Sequence, residues 1–519
     1  MARWIAKAAC RRVLEPSMGD GQFIRALRNE AQNQGASLEV WGVELAHEAY
    51  IATLAEGLLN SAHAINLDFL TLKPFAVDAV IGNPPYVRLR HLPRGAAEAA
   101  INAAERVLGQ RIDPSGSIWM PFVLHATEFL TSGGRLAFVL PYDFTYVRYA
   151  RPLWRFLASH FCRLRIARIH ERVFPDILQD VVLFFAEGYG QSTDVVEFQA
   201  FDRASDLVMD HAARSATLPV ARIESGGRPF LEALLPDGLQ RVLANRFIDR
   251  SIRASDLVTF NIGYVSGDKS YFHPPADVIE RFGIPESSLV SSVTSSRRTS
   301  RAGLRTSDLP KAAVTRLFLP PADQNALTKG QRDYVQRGLT IGIARRYKCR
   351  VRDPWYVTPG VKFPDVLIPV FAESPLLLLN DGGYAASNSM LCGYTRACDA
   401  TSIAAAWYTS LTLLQVELNV HSLGGGVMVF VPNEAGSIRL VSGVSARAHL
   451  PIVDAHLREG RVLDAYASGD DVVLREALGL TDDEVELVAL GVRSLRHWRS
   501  ARIRRMPLSR KHPRTPVAI

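Results

Sequence analysis

Over the first two hundred residues, short apolar runs alternate with stretches whose apolar positions recur every three or four residues. CRRVLEP, SLEVWGVEL (37–45), AHAINLDFL and VDAVIGNPPY read as strands, each running into polar turn residues. QFIRALRNEAQN (22–33), HEAYIATLAEGLL (47–59) and RPLWRFLASHF read as helices. GSIWMPFVLHATEFLTSGGRLAFVLP predicts a helix closed by Gly-Gly and then an apolar strand, and DVVLFFAEG a further strand. Strands separated by helices of this length predict an α/β domain over 1–200, built on a largely parallel sheet with helices on both faces. Residues 201–254 carry GG and Pro punctuation and read as a linker with helices. From 255 to 435, strand-like pieces separated by long polar loops predict a second, mixed α+β domain. Residues 436–519 read as a helical C-terminal region with a basic tail.

Composition narrows the class. The 519 residues are 48% hydrophobic and 22% charged, enough to bury a large core, which excludes wholesale disorder. Apolar runs such as VVLFFA (181–186) and VMVFV (427–431) fall far short of the ~20 residues of a membrane span, so a soluble protein is expected. MARWIAKAACRRVLEP lacks the apolar stretch of a signal peptide. Five scattered cysteines without CxxC spacing suit a reducing cytoplasm and argue against a structural zinc site. The formal net charge is +8 and permits a nucleic-acid partner. Residues 343–352 (IARRYKCRVR) hold five basic residues and no acid, and 493–519 hold nine with no acid.

Two constellations carry chemistry. In VLEPSMGDGQF (13–23) a strand ends at Glu15 and a turn with Gly19 and Gly21 opens the next helix. Glycines there let a ligand approach the backbone at the carboxyl end of a strand. The spacing is neither GxGxxG nor a P-loop. Glu44 ends the second strand and can accept both hydroxyls of a ribose; Asp68, at the end of the third, can accept from an exocyclic amine. Three acids at strand ends suit a neutral or cationic adenosine derivative and repel phosphate. The second constellation is IGNPPYVR (81–88). Its prolines fix φ and leave carbonyls free. Asn83 adds a side-chain acceptor and Tyr86 a stacking face. A planar substrate with an NH2 group would donate to Asn83 Oδ1 and the Pro84 carbonyl while lying on Tyr86, which raises the amine's nucleophilicity without a general base.

In this order, EPSMGDGQF, GVEL, NLDFL and GNPPYV resemble the motifs of the adenine-N6 DNA methyltransferases of type II restriction–modification systems, the subgroup with the catalytic domain first. HERVFPDILQDVVLFF (170–185) resembles the motif whose phenylalanine, here Phe174, forms the second face of the flipped-base pocket. NIGYVSGDKSYF (261–272) resembles the family's G-[IV]-x-[TS]-G-x-[ND]-x-x-F element. YKCRVRDPWYVTP, LLLLNDGGYAASNSMLCGY and LNVHSLGGGVMVF resemble segments of its recognition domain.

The resemblance implies a Rossmann-like, S-adenosylmethionine-dependent catalytic domain followed by a mixed α+β DNA target-recognition domain. It implies Glu15, Pro16, Ser17, Gly19, Gly21, Glu44, Asp68, Phe69 and Asn83 at the cofactor. It places Asn83, Pro84, Tyr86 and Phe174 at a target base flipped out of the duplex. No metal is implied. Arg88, Lys269, Arg345, Arg346, Lys348, Arg350 and Asn388 are candidate DNA contacts. If 346–352 is a strand, Arg346, Lys348, Arg350 and Arg352 face one way as a basic stripe. Residues 91–117 are candidates to close over the base. One departure stands at the start: ARWIAKAAC resembles the end of a helix that in the family closes over the methionine end of the cofactor, and its beginning is not in the sequence.

No cysteine follows a proline, which removes cytosine-C5 methylation. Cytosine-N4 methylation and glutamine-N5 methylation of a protein remain as alternatives, and Asn83 favours adenine. A fused nuclease is not expected, so a cognate endonuclease would be a separate polypeptide. The expected protein is a cytoplasmic bacterial monomer acting on double-stranded DNA.

Overall fold

The computed structural model describes residues 1–8, 10–35, 37–171, 180–295, 299, 302–396, 398–422, 426–441 and 447–499. It divides into two compact units, the first running to Leu234 and the second from Leu235. Among the described residues no helix is long and apolar enough to cross a membrane.

The first unit is built on nine strands: β1 (Arg12–Glu15), β2 (Glu39–Glu44), β3 (Ala64–Asn66), β4 (Val77–Gly82), β5 (Leu130–Pro141), β6 (Phe161–Ile169), β7 (Val181–Tyr189), β8 (Val195–Phe201) and β9 (Arg214–Pro219). They are ordered β3-β2-β1-β4-β5-β7-β6-β8-β9. The five from β3 to β5 are parallel, with Glu15 opposite Gly42, Glu44 opposite Asn66 and Val13 opposite Ala79. The expected parallel pairing holds for these five and for β6 with β8. Strand β7 lies antiparallel to both β5 and β6, and β9 antiparallel to β8, so the sheet is mixed. Strand β9 lies inside 201–254, the stretch expected to be a linker. Its alternating residues, RSATLP, are half exposed and carry little apolar signal.

Helix formation follows the periodicity closely. Gln22–Asn33 is helical and buries Ile24, Leu27 and Ala31, the i, i+3, i+7 stripe. These residues share a core with Val13, Ala79, Ile81 and Ala137 of the sheet. Gly133 and Gly134, expected to close the helix Trp119–Thr127, instead fall within β5. Gly134 sits where a Cβ would meet the Thr131 and Asp78 carbonyls at 2.8 and 3.2 Å. Residues Arg94–Leu108 form a helix that buries Ala100, Ile101, Ala103 and Ala104, and Arg106 is held by Glu128 at 2.8–2.9 Å.

The second unit contains small sheets. Val258–Ile262, Met390–Thr395, Val366–Pro369 and Leu378–Leu379 pair in that order, and Leu289–Val293 pairs with Val314–Phe318 and Ala385–Ala386. One of its cores gathers Tyr264, Tyr271, Phe272, Phe318, Tyr334, Ile343 and Cys349. Further along the chain come helices Ala400–Trp407, Ser410–Asn419, Leu450–Glu459 and Asp482–Arg499.

Candidate functional site

Because β1 to β5 are parallel, their carboxyl ends share one edge, and the acid-tipped and Pro-Pro turns emerge there together. Hydrogen bonds stitch the turns to one another. Met18 N–H donates to the Val43 carbonyl at 3.0 Å. Gly19 N–H donates to Glu44 Oε2 at 2.9 Å, while Glu44 Oε1 accepts from Ala46 N–H at 2.8 Å. Ser17 Oγ donates to the Asn83 carbonyl at 3.0 Å, tying the β1 turn to the β4 turn. Asn66 Nδ2 donates to the Glu44 carbonyl at 2.7 Å.

The glycines here answer to particular constraints. Gly19 and Gly21 have φ of +51° and +75°, which side chains rarely adopt. A Cβ on Gly21 would stand 2.6 Å from Leu58 Cδ1. Pro16 is buried against the end of β4, where a Cβ on Gly82 would lie 3.1 Å from its Cδ.

Glu15 is only 2% exposed and its Oε2 has no hydrogen-bond partner. Burial first, then the neighbouring Asp20, hold its carboxyl well above the usual carboxylate range. A buried acid with an unused oxygen, beside a glycine turn and a second carboxylate, offers acceptors for a ligand carrying positive charge and hydroxyls. Asp68 caps a short 3-10 turn, its Oδ1 accepting from Leu70 N–H at 3.0 Å. Phe69 is buried against Phe122, His125 and Phe129, with ring centroids 4.8–5.4 Å away, so it supports the turn from inside the core.

At the β4 tip, the Tyr86 hydroxyl lies 2.6 Å from Asn83 Oδ1 and 2.9 Å from the Val139 carbonyl. Its phenol is pushed up by burial and by Asp143, so it is a proton donor at any working pH. Pro84 is buried, and Val87 is fixed by Ser117 Oγ and Ile118 N–H on its carbonyl, both at 2.9 Å. Phe174 lies outside the described residues. The strands on either side of that segment, ending at Ile169 and starting at Val181, meet the carboxyl edge where Val181 pairs with Pro141.

Two features here escaped the sequence. Val139 contributes only its backbone carbonyl, which no side-chain pattern announces. Asp143, in PYDF after β5, is half-buried, with Oδ1 unpartnered and Oδ2 3.8 Å from Arg88. An acid just past an apolar strand end was the available signal. Arg88, expected at DNA, also donates to the Ser115 carbonyl at 3.4 Å.

In the second unit the other candidates gather round one loop, 263–269. Asn388 is exposed and its N–H donates to the Tyr264 carbonyl at 2.9 Å. Lys269 Nζ donates to the Thr294 carbonyl at 2.8 Å. Arg346 pairs with the buried carboxylate of Asp268, while Arg345, Lys348 and Arg350 are exposed. The conditional basic stripe is corrected: Ile343–Arg345 is a 3-10 turn and Tyr347–Arg350 one helical turn, so 346, 348, 350 and 352 do not share a strand face.

Comparison with known proteins gives two family matches, one on either side of residues 175–228. Residues 37–174 match the family model of the Eco57I restriction-modification methylase, and residues 229–474 that of the C-terminal domain of the type II methyltransferase M.Eco57I. The type II methyltransferase M.AccI of Acinetobacter calcoaceticus is 22% identical over 84% of this chain and 82% of its own length. M.PaeR7I of Pseudomonas aeruginosa is 28% identical over 43% of this chain, a match spanning 44% of that protein. Among solved structures, the type IIL restriction-modification enzyme MmeI in complex with DNA shares the fold, with a TM-score of 0.54 at 12% identity over 94% of this chain and 73% of that one. The methylase model lies on the first unit and the C-terminal model runs through most of the second, so over both units the chain is similar to type II restriction–modification methyltransferases.

Proposed function

We propose that this chain is a site-specific DNA adenine-N6 methyltransferase. It takes methyl from S-adenosylmethionine and protects DNA from a cognate endonuclease. The observation that carries the reading is the β4 tip, where Asn83 Oδ1 and Tyr86 stand on the same edge as Glu15, with its unpartnered Oε2, and the Glu44 carboxylate. Glu15, Glu44, Asp68 and the 16–21 turn would hold the cofactor, and their chemistry fits it: acids for a cation and a ribose. When bound, the cofactor supplies a methyl group made electrophilic by its sulfonium.

The chain's own residues then have three tasks. Asn83 Oδ1 and the Pro84 carbonyl accept from the N6 amine, orienting its lone pair. The Tyr86 proton has a second acceptor in Val139, so it can leave Asn83 to the substrate without losing its hydrogen bond. The ring of Tyr86, with Phe174 as the expected opposite face, holds a base taken out of the stack. The second unit, with Lys269, Arg346, Lys348, Arg350 and Asn388 around one loop, is the expected recognition domain.

The test is incubation of the protein with labelled S-adenosylmethionine and duplex DNA of high sequence complexity, and separately with a nucleic-acid-free extract. Label should enter DNA, appear as N6-methyldeoxyadenosine on digestion, and cluster at one short sequence. Label in N4-methyldeoxycytidine or in protein overturns the assignment.

A further inference from the structure

Residues 343–352 form a knuckle with a fixed inner side and an unusual outer one. Inside, Ile343 and Cys349 are buried with Tyr264, Tyr271, Phe272 and Tyr334. Arg346 pairs with Asp268, and the Arg352 guanidinium donates to the Ser266 carbonyl at 2.9 Å and to that of Val265. Gly267, with φ +93°, lets the two segments touch: a Cβ there would stand 2.9 Å from Cys349 Sγ and 3.3 Å from Lys348 Cβ. Two of the cluster's five cations are therefore anchors rather than ligand contacts.

The outer side is apolar and positive at once. Tyr347 is 65% exposed and Val351 62%. Four residues apart across one helical turn, they project from the same face. Lys348 Nζ sits 5.5 Å from the Tyr347 ring centroid. Arg345, Lys348 and Arg350 are exposed and make no ion pair among the described residues, and 343–352 contains no acid. An aromatic and an aliphatic side chain thus stand exposed side by side among three cations that no acid in 343–352 neutralises.

We propose that this knuckle is a wedge for duplex DNA: Tyr347, backed by Val351, enters an opened base step, while Arg345, Lys348 and Arg350 hold the flanking phosphates. The inference rests on the reading of the chain as a DNA methyltransferase. Duplex DNA is favoured over a protein partner by the charge, three unpaired cations around the apolar tip with no acid between them. Apolar side chains inserted at a step unstack it and kink the helix by ~20–90°. The anchors matter because a wedge must resist the force it applies; Asp268, Ser266 and Val265 lie in the 261–272 segment and brace it from behind.

The experiment uses the full chain and a short duplex enriched from a random pool by the wild-type protein, carrying a fluorescence donor and acceptor at its two ends. Tyr347→Ala should abolish most of the end-to-end shortening on binding and weaken affinity roughly 5- to 100-fold, the range of one base–aromatic stack. It should leave the salt dependence of binding unchanged. The double variant Lys348→Ala, Arg350→Ala should keep the bend and lower the slope of log K against log salt by about 2. Tyr347 is exposed, so both proteins should melt with the wild type. Bending and affinity unchanged in Tyr347→Ala overturn the wedge while methylation of DNA stands, the result expected if the face docks a protein. A wild-type protein that binds no DNA overturns the wedge and the methyltransferase reading together.

Discussion

At Glu15 the fold holds a carboxyl group under two opposed demands, closed off from water yet left with an oxygen unused. The raised pKa means that the folded state keeps a proton over a pH range in which the unfolded chain has already released it. Stability from this group is therefore full below the unfolded carboxylate pKa of about 4.3 and falls as pH rises towards the folded value. Glu15→Gln should remove that loss: at neutral pH the ligand-free variant should melt at or above the wild type. S-adenosylmethionine should then raise its melting temperature much less than the wild type's. Paired thermal melts with and without the cofactor check both halves; an undiminished ligand-induced shift would remove Glu15 from the cofactor site. Side-chain type and spacing draw attention to Glu15, Glu44, Asn83 and Tyr86 in the sequence, and the parallel strands bring them to one edge of the sheet. Partners drawn from distant sequence were not legible: nothing near Arg346 signals that its carboxylate is Asp268, and nothing near Tyr86 signals the carbonyl of Val139.

Elements were legible where burial follows a single period. Gln22–Asn33 was predicted to the residue because its apolar stripe is unbroken. In 346–352, basic residues alternate with Tyr347, Cys349 and Val351, which mimics a half-buried strand. Only Cys349 of those three is buried, and Gly342, with φ +80°, has already turned the chain out of the helix Lys329–Thr340 into a short turn. Caps that come from far away are equally silent. The helix Ser410–Asn419 begins under Asp470, whose Oδ1 and Oδ2 accept from Ser410 N–H and Oγ at 2.8 and 2.6 Å. Burial raises the Asp470 carboxyl to about 6, against 3.8 ordinarily. Its contribution to stability is thus complete below about pH 4 and lost as pH rises through about 6. Asp470→Asn keeps an acceptor for Ser410 N–H without the charge. Denaturant melts should show the variant gaining on the wild type across that window, by about 3 kcal/mol at most. A wild-type advantage that grows with pH would contradict the burial of a costly charge.

For the molecule as a whole, the first unit runs past residue 200, through β9 to Leu234. The sheet of the first unit continues through β9 because its pairing with β8, not its apolar content, joins it. The basic C-terminus belongs to this scale too. Arg493 pairs with Glu486, and Arg496 and Arg499 with the buried Glu417, so these three are structural ion pairs. The other six basic residues, in 501–519, lie outside the described residues. A chain ending at Ser500 should bind DNA more weakly at low salt, with a salt slope reduced by up to about 5, yet methylate the same sequence. Filter binding across a salt series and mapping of the methylated sites check it; a changed site would give the tail a share in recognition.

The strand order also bears on synthesis at the ribosome. The parallel half of the sheet, β3-β2-β1-β4-β5, draws only on residues 12–141, while its neighbour across β5 is β7, residues 181–189. A nascent chain can thus assemble the edge that carries Glu15, Glu44 and Asn83 before β7 has left the exit tunnel. For that interval β5, twelve residues long and mostly buried in the finished protein, stands as an open apolar edge. The delay is set by translation of residues 142–180, so codon usage there would be under selection for speed, and slowing the ribosome across it should raise the yield of aggregated chains without altering a single amino acid.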